Sequence, residues 1–204
     1  MELWGLTGLA ASGKSEALKI LKKKGIPVVD TDVLARVVVD PSTKSGQVGL
    51  ARVVDHFGKG VLNAQGELDR SAMRARIVAS HQDRKALEDI LHPLILEEVR
   101  RWSKAEALRG NRLGIVEGSR LIESGFYKEL KGLLVVVADN ELRIKRLQHR
   151  DGVSEDQARA LLNVQNEQRM IDEATLVWKN DGGLEEFEKQ IEGFILKQKE
   201  MGRV

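Results

Sequence analysis

The sequence predicts an α/β fold built on a mostly parallel sheet, and three observations carry that prediction. Short apolar runs alternate with amphipathic stretches along the 204 residues, the pattern of strands alternating with helices. A complete G-x-x-x-x-G-K-S run, Gly8 to Ser15, sits between the first apolar run and the first amphipathic one. A carboxylate pair, Asp30-Thr31-Asp32, closes the second apolar run.

The elements follow in order. Glu2–Thr7 (E-L-W-G-L-T) is a short apolar run and reads as the first strand. Lys14–Lys24 carries Ala17, Leu18 and Leu21 on one helical face and stops at Gly25, a C-terminal cap. Ile26–Val29 is a short buried strand ending at Asp30. The section from Val33 to Arg112 is mostly helical, too large for a simple crossover, and is expected to form its own lobe. Gly114–Glu117 and Leu133–Ala138 (L-L-V-V-V-A) are two further strands, the second apolar enough for the centre of a parallel sheet.

Glu141–Arg150 then places Arg143, Arg146 and Arg150 on one helical face by three-and-four spacing. Asp151-Gly152 makes a turn, and Ser154 with Gln157 forms a capping box that opens another helix. Two polar helices with arginines aimed one way fit either a solvated surface or a mobile lid; beside a phosphate loop the lid is the better reading. Leu184–Lys199 spaces Phe187, Ile191, Phe194 and Ile195 as a packing helix.

Composition narrows the function classes. The 33 basic and 31 acidic residues nearly cancel, so no global field argues for nucleic acid or an anionic membrane. The chain has no cysteine, which excludes disulfides, thiolate catalysis and cysteine-ligated metals. Its N-terminal stretch does not read as a signal peptide. No apolar run approaches the roughly 20 residues needed to cross a bilayer. A cytoplasmic protein is the expectation.

The loop has a chemistry that can be read residue by residue. Gly8 and Gly13 admit backbone conformations closed to other residues and let N–H groups crowd around phosphate oxygens. Lys14 reaches the β- and γ-phosphates, and the Ser15 hydroxyl holds Mg²⁺. The following helix directs its positive end at the anion. A cradle alone only binds a polyphosphate. Asp30 and Asp32 add a base or a magnesium-positioning group, and on an extended segment their spacing would turn both to one side. Phosphoryl transfer needs little more than held phosphates, neutralised charge and an aligned hydroxyl. The rival reading of the pair is structural, with Asp32 capping a helix that begins near Val33.

Taken together, the chain resembles the dephospho-CoA kinase family, small P-loop kinases that phosphorylate the ribose 3′-hydroxyl of dephospho-CoA with ATP. The likeness starts at Gly5-Leu6-Thr7-Gly8 and runs through Ser15. It continues in Gly25-Ile26-Pro27-Val28-Val29-Asp30-Thr31-Asp32-Val33-Leu34-Ala35-Arg36, similar to the family's G-(x)-x-V-x-D-A-D-x-x-A-R. Gly66-Glu67-Leu68-Asp69-Arg70, Arg74, Leu87-Glu88 and His92-Pro93-Leu94-Ile95 are similar to its G-x-L-D-R, L-E and H-P-x-I signature, which other small P-loop kinases do not carry. Ala174 and Val177 through Asn180-Asp181-Gly182 resemble its A-D-x-V-I-x-N-x-G stretch beside the adenine site.

The resemblance implies a P-loop nucleoside-triphosphate-hydrolase-like fold with a parallel-sheet core, a helical acceptor lobe and a helical lid. Residues 1–32, 113–140 and 171–204 would form the nucleotide-binding core, 33–112 the acceptor (CoA) lobe and 141–170 the lid. Asp32 would activate the ribose hydroxyl with Asp30 in support, and Lys14 and Arg143 would complete the catalytic set. Gly8, Leu9, Ala10, Ala11, Ser12, Gly13, Lys14, Ser15, Glu16, Arg150 and Asn180 would contact ATP, and Ser15 would hold Mg²⁺. His92 fits equally a hydrogen-bonded structural role or acceptor binding, while His56, His81 and His149 read as surface residues. The partner is a small-molecule substrate, dephospho-CoA; the oligomeric state is left open.

Three departures stand out. Leu9, Ala10 and Ala11 replace the family's G-I-G, Leu96 replaces an arginine, and Ser119-Arg120-Leu121-Ile122-Glu123 replaces P-L-L-x-E. The last two lie on the acceptor side, where Arg120 or Arg100 offers a replacement charge. Two rivals frame the reading. One is another small-molecule kinase of the same fold. The other is a nucleotide-binding switch or non-catalytic relative: Asp55-His56-Phe57-Gly58 matches D-x-x-G, but no N-K-x-D exists, and Lys14, Ser15 and Asp32 are all retained.

Overall fold

A computed structural model describes residues 1–163 and 166–204. Residues 164–165, inside the expected lid, lie outside the described residues. In chain order the elements are β1 (Glu2–Gly8), α1 (Lys14–Lys23), β2 (Val28–Asp30), α2 (Thr31–Val37), α3 (Lys44–Phe57), α4 (Arg70–Ala79) and α5 (His81–Leu108). After them come β3 (Leu113–Glu117), β4 (Gly132–Val137), α6 (Asn140–Asp151), α7 (Glu155–Asn163), α8 (Glu167–Glu173), β5 (Leu176–Lys179) and α9 (Leu184–Glu200). The chain divides into two compact units, Met1–Val29 with Ser103–Val204, and Asp30–Trp102.

The first unit is organised by the sheet, whose strand order is β2-β3-β1-β4-β5. β1 pairs in parallel with β3 on one side and β4 on the other, and β4 pairs in parallel with β5. Strand periodicity then sorts the side chains. Trp4, Leu6, Ile115, Leu134, Val136 and Trp178 gather with Ala17, Ile20 and Leu21 of α1 and Phe187, Ile191, Phe194 and Ile195 of α9. Phe194 sits edge-on to both Trp4 and Trp178, with ring centroids 5.1 and 5.7 Å apart. Each Val, Leu, Ile or Phe side chain buried in this way contributes about 1.5–3 kcal/mol.

The predicted elements form with informative shifts. α1 ends in a Schellman turn: Gly25 has φ 78° and donates to Lys22 O, while Ile26 N donates to Leu21 O. That turn consumes Ile26, and Pro27 has no N–H to give, so β2 starts at Val28 rather than at Ile26. Pro27 still contributes its carbonyl, which accepts from Ile115 N at 2.9 Å. β5 was not anticipated. It is an edge strand of four residues, L-V-W-K, in which Trp178 alone is buried, and its apolar run of three is shorter than those of the inner strands.

The second unit is helical, with α3, α4 and most of α5 closing over Leu50, Val53, Phe57, Val61, Met73, Ile95 and Val99. Thr43 caps α3 and Asp69 caps α4 through their side-chain oxygens. Arg76 lies over the Phe57 ring at 4.9 Å and pairs with Asp83. α5 runs unbroken through His92 and Pro93. Among the described residues no helix is long and apolar enough to cross a membrane.

Candidate active site

β1 lies in the middle of the sheet, and the phosphate-loop motif leaves its C-terminal end, where ligands of open parallel sheets bind. The loop is folded by its own backbone first. Leu9 N donates to Val136 O of β4, and Ser12 N closes a turn onto Leu9 O at 3.1 Å. Ala11 has φ 58°, the left-handed region where an L side chain carries a cost, and Gly13 has φ 100°. No side chain caps α1, so the amides of Lys14 and Ser15 at its start are open to an anion, while Glu16 N donates to Gly13 O.

A second layer holds the loop from behind. Arg143 Nε donates to Ala10 O at 2.9 Å, and Arg146 Nη1 donates to Ala11 O at 3.2 Å and Ser12 O at 3.4 Å. The Asn180 amide donates to Ser12 O at 2.8 Å, and Arg146 Nη2 reaches Asn180 O at 3.1 Å. Apolar contact adds to this: Ala10 and Ala11 pack against Ile144, Leu147, Ala158 and Leu162 of α6 and α7.

In front of the loop opens a cleft of about 590 Å³, lined by Gly8 through Glu16, Ser119, Arg146, His149 and Arg150. Lys14 donates from Nζ to the Glu117 carboxylate at the end of β3, and Glu117 is buried. Arg150 grips Asp151 with two hydrogen bonds of 2.7 Å. That contact raises the Arg150 guanidinium above its usual value and holds the Asp151 carboxyl below the ordinary range.

The cleft therefore brings together the expected residues Gly8–Glu16 and Arg150. It does not include Arg143. Arg143 is 2% exposed, with Asn140 and Glu167 as further side-chain partners, so it stands beneath the loop rather than over it. The reason is packing, since Arg143 flanks Ile144 on the buried side of α6. Burial pushes its guanidinium below the usual value, with Glu167 opposing. Asn180 is likewise buried behind the loop.

The aspartate pair lies in the second unit with a different geometry from the extended one anticipated. Asp30 ends β2 and caps α2: its Oδ1 accepts from Asp32 N at 2.7 Å and Val33 N at 3.2 Å. The cap is Asp30, not Asp32. Asp32 sits in the first helical turn, so the alternation of a strand does not apply to the two. His92 lies inside α5, half-buried and ahead of Pro93.

Sequence reading missed Glu117 as a site residue, gave Arg146 no part beyond the arginine face of the lid and placed His149 on plain surface. His149 is exposed, but on the cleft wall. A carboxylate closing a fully buried strand was the available signal for Glu117, because a charged side chain in such surroundings needs a partner.

Magnesium fits these surroundings only as part of a nucleotide complex. Among the described residues no three or more His, Asp or Glu side chains cluster to hold a metal. The Ser15 hydroxyl on the cleft wall and the Glu117 carboxylate beside Lys14 are among the hard donors here, and Mg²⁺ ordinarily takes one or two protein oxygens with phosphates and water completing its shell.

Comparison with known proteins follows the same lines. The family model described as Dephospho-CoA kinase matches residues 3–186. A dephospho-CoA kinase of Geobacillus kaustophilus is 34% identical over 195 residues, covering 95% of this chain and 94% of that protein. One from Shouchella clausii is 37% identical over 161 residues, covering 79% and 80%. A crystal structure from Thermus thermophilus superposes with TM-score 0.73 at 29% identity, covering 96% of this chain and 97% of that one. A shikimate kinase from Bacteroides thetaiotaomicron gives TM-score 0.51 at 12% identity over 98% of both chains, a likeness of fold alone.

Proposed function

Since the chain belongs to the dephospho-CoA kinase family, we propose that it moves the γ-phosphoryl group of ATP to the ribose 3′-hydroxyl of dephospho-CoA through the residues described above. The observation that carries the reading is the braced, anion-ready loop facing a cleft with Lys14, Arg146 and Arg150 on its walls.

In this proposal the amides of the loop and of the first turn of α1 bind the β- and γ-phosphates. Lys14 leaves Glu117 for the phosphates and offsets the charge that shifts to the leaving oxygen. Arg150 exchanges Asp151 for a phosphate oxygen. Arg143 supports the loop from behind, a positioning role in place of the catalytic one that the resemblance implies. Ser15 and Glu117 are the residues that would hold Mg²⁺, whose charge would further neutralise the phosphates.

Asp32 accepts the proton of the ribose hydroxyl, and Asp30 sets the helix turn on which Asp32 rides. Residues 33–112 form the acceptor lobe, with His92 among its acceptor-side residues, and 141–170 form the lid. The reaction ends with the P–O bond to ADP broken and a P–O bond to the 3′-oxygen formed.

A coupled ADP-release assay comparing dephospho-CoA with adenosine and AMP tests the reading. Turnover at least tenfold higher with dephospho-CoA is the expected result. Equal or higher turnover with adenosine or AMP would assign a different acceptor.

A further inference from the structure

We infer that Asn180 is a positioning residue for the donor phosphates, acting through the backbone of Ser12 and Gly13 rather than by contact with the adenine. The inference rests on the kinase reading above, and concerns a residue that the sequence would assign to the base.

Every polar part of Asn180 that the structure fixes points to the loop or its supports. Nδ2 donates to Ser12 O at 2.8 Å, the backbone N donates to Val137 O at 2.9 Å, and the backbone O accepts from Arg146 at 3.1 Å. The residue is 8% exposed and does not line the cleft. Its neighbour Asp181 is tied down as well, accepting from Asp139 N, and Asp139 caps α6. The backbone of Asn180 is held on both sides, and its side chain rests inward against the loop.

Its effect on the loop is geometric. In a trans peptide the C=O of one residue and the N–H of the next point in opposite directions. Pulling Ser12 O to the rear therefore aims Gly13 N–H forward. Arg143 and Arg146 do the same to the carbonyls of Ala10 and Ala11, so three successive peptides are set from behind. Donors fixed before the ligand arrives need no reorganisation when charge shifts. Asn180 also fills the space beside position 13: a Cβ on Gly13 would lie 2.0 Å from Nδ2. The absence of a side chain at Gly13 and the presence of the amide at 180 are thus one arrangement, made by residues far apart in the chain.

Binding of ATP and of inorganic tripolyphosphate, each with Mg²⁺, to the full chain and to Asn180→Ala tests this. Loss of one buried hydrogen bond predicts that both ligands weaken by about tenfold, with the melting temperature measured alongside. Weakening of ATP with tripolyphosphate unchanged would overturn the inference in favour of a base contact. No weakening of either would also overturn it, as would a wild-type chain that fails to bind tripolyphosphate. Asn180→Ser serves if the alanine variant does not fold, since its shorter side chain cannot span to Ser12 O.

Gly13→Ala supplies a second readout. It should weaken tripolyphosphate by a larger factor in the wild-type chain than in Asn180→Ala, where the clash is gone; equal factors would refute the coupling. Turnover of dephospho-CoA by the wild type tests the kinase reading separately, because tripolyphosphate binding involves no acceptor.

Discussion

The ammonium of Lys14 donates to the carboxylate of Glu117, a residue 103 positions further along the chain. Both belong to the unit built on the sheet: Glu117 ends β3, and Lys14 opens α1, which the phosphate loop joins to β1, the paired neighbour of β3. The pair gives the loop lysine a defined resting place and keeps a buried carboxylate compensated. Glu117→Gln is expected to lower kcat/KM by about 10- to 100-fold, the range for loss of a group that orients another. Steady-state kinetics with varied ATP and Mg²⁺ checks it. Unchanged kinetics would show that Lys14 needs no such partner.

Lys14→Ala should remove most catalysis and leave the fold intact. One preorganised donor at the developing charge is worth about 10² to 10³ in kcat, and leaving the buried Glu117 carboxylate without its ammonium should lower the melting temperature of a chain that still folds. Turnover at saturating ATP and a thermal melt are the paired measurements. Normal turnover would rule out this loop as the active one.

Asp32→Asn keeps the shape of the side chain and cannot take a proton. It should lower kcat by about 10² to 10⁴, the usual worth of a general base, with ATP affinity unchanged. Asp30→Ala should instead cost stability, about 1 kcal/mol for a lost helix cap, together with a smaller fall in kcat as the first turn of α2 loosens. If Asp30 proves the more damaging position for kcat with stability unaffected, the two roles are reversed.

Asp151→Asn should tighten ATP binding about two- to fivefold. Arg150 is held by a neighbouring carboxylate at the surface, and freeing it removes a competitor of that modest size. Because Arg150 keeps the Asp151 carboxyl below its ordinary range, the competition persists at every pH above that range. Isothermal titration of both chains at neutral pH reads the difference. An unchanged or weaker affinity would show that Arg150 does not reach the nucleotide.

Hydrogen exchange should divide the helical pair. The buried face of α6, with Arg143, Ile144 and Leu147, is expected to be protected with or without nucleotide. α7 is held by Ala158, Leu162 and surface pairs such as Arg159 with Glu141 and Glu155, so residues 155–163 should slow when an ATP analogue binds. Equal exchange of α7 in both states would argue against a closing lid.

What the sequence determined by itself was everything encoded at short range. The strand, loop and helix from Glu2 to Lys23 form as their pattern requires, and Gly25 stops α1 with a turn made within six residues. Ser154 and Gln157 exchange hydrogen bonds three positions apart, and the apolar stripe of α9 packs as spaced. Such features depend on local hydrogen bonds and on periodicity, both written in neighbouring residues. Tertiary structure decided the rest. Nothing local tells Arg143 to turn under the loop and Arg150 toward the cleft, since both sit on the same helical face by spacing alone. Asn180 meets Ser12 across 168 positions, and Lys14 meets Glu117 across 103. Those partners are chosen by the order in which strands pair and by which neighbour each apolar helix face is buried against, and a single sequence carries no direct signal of either.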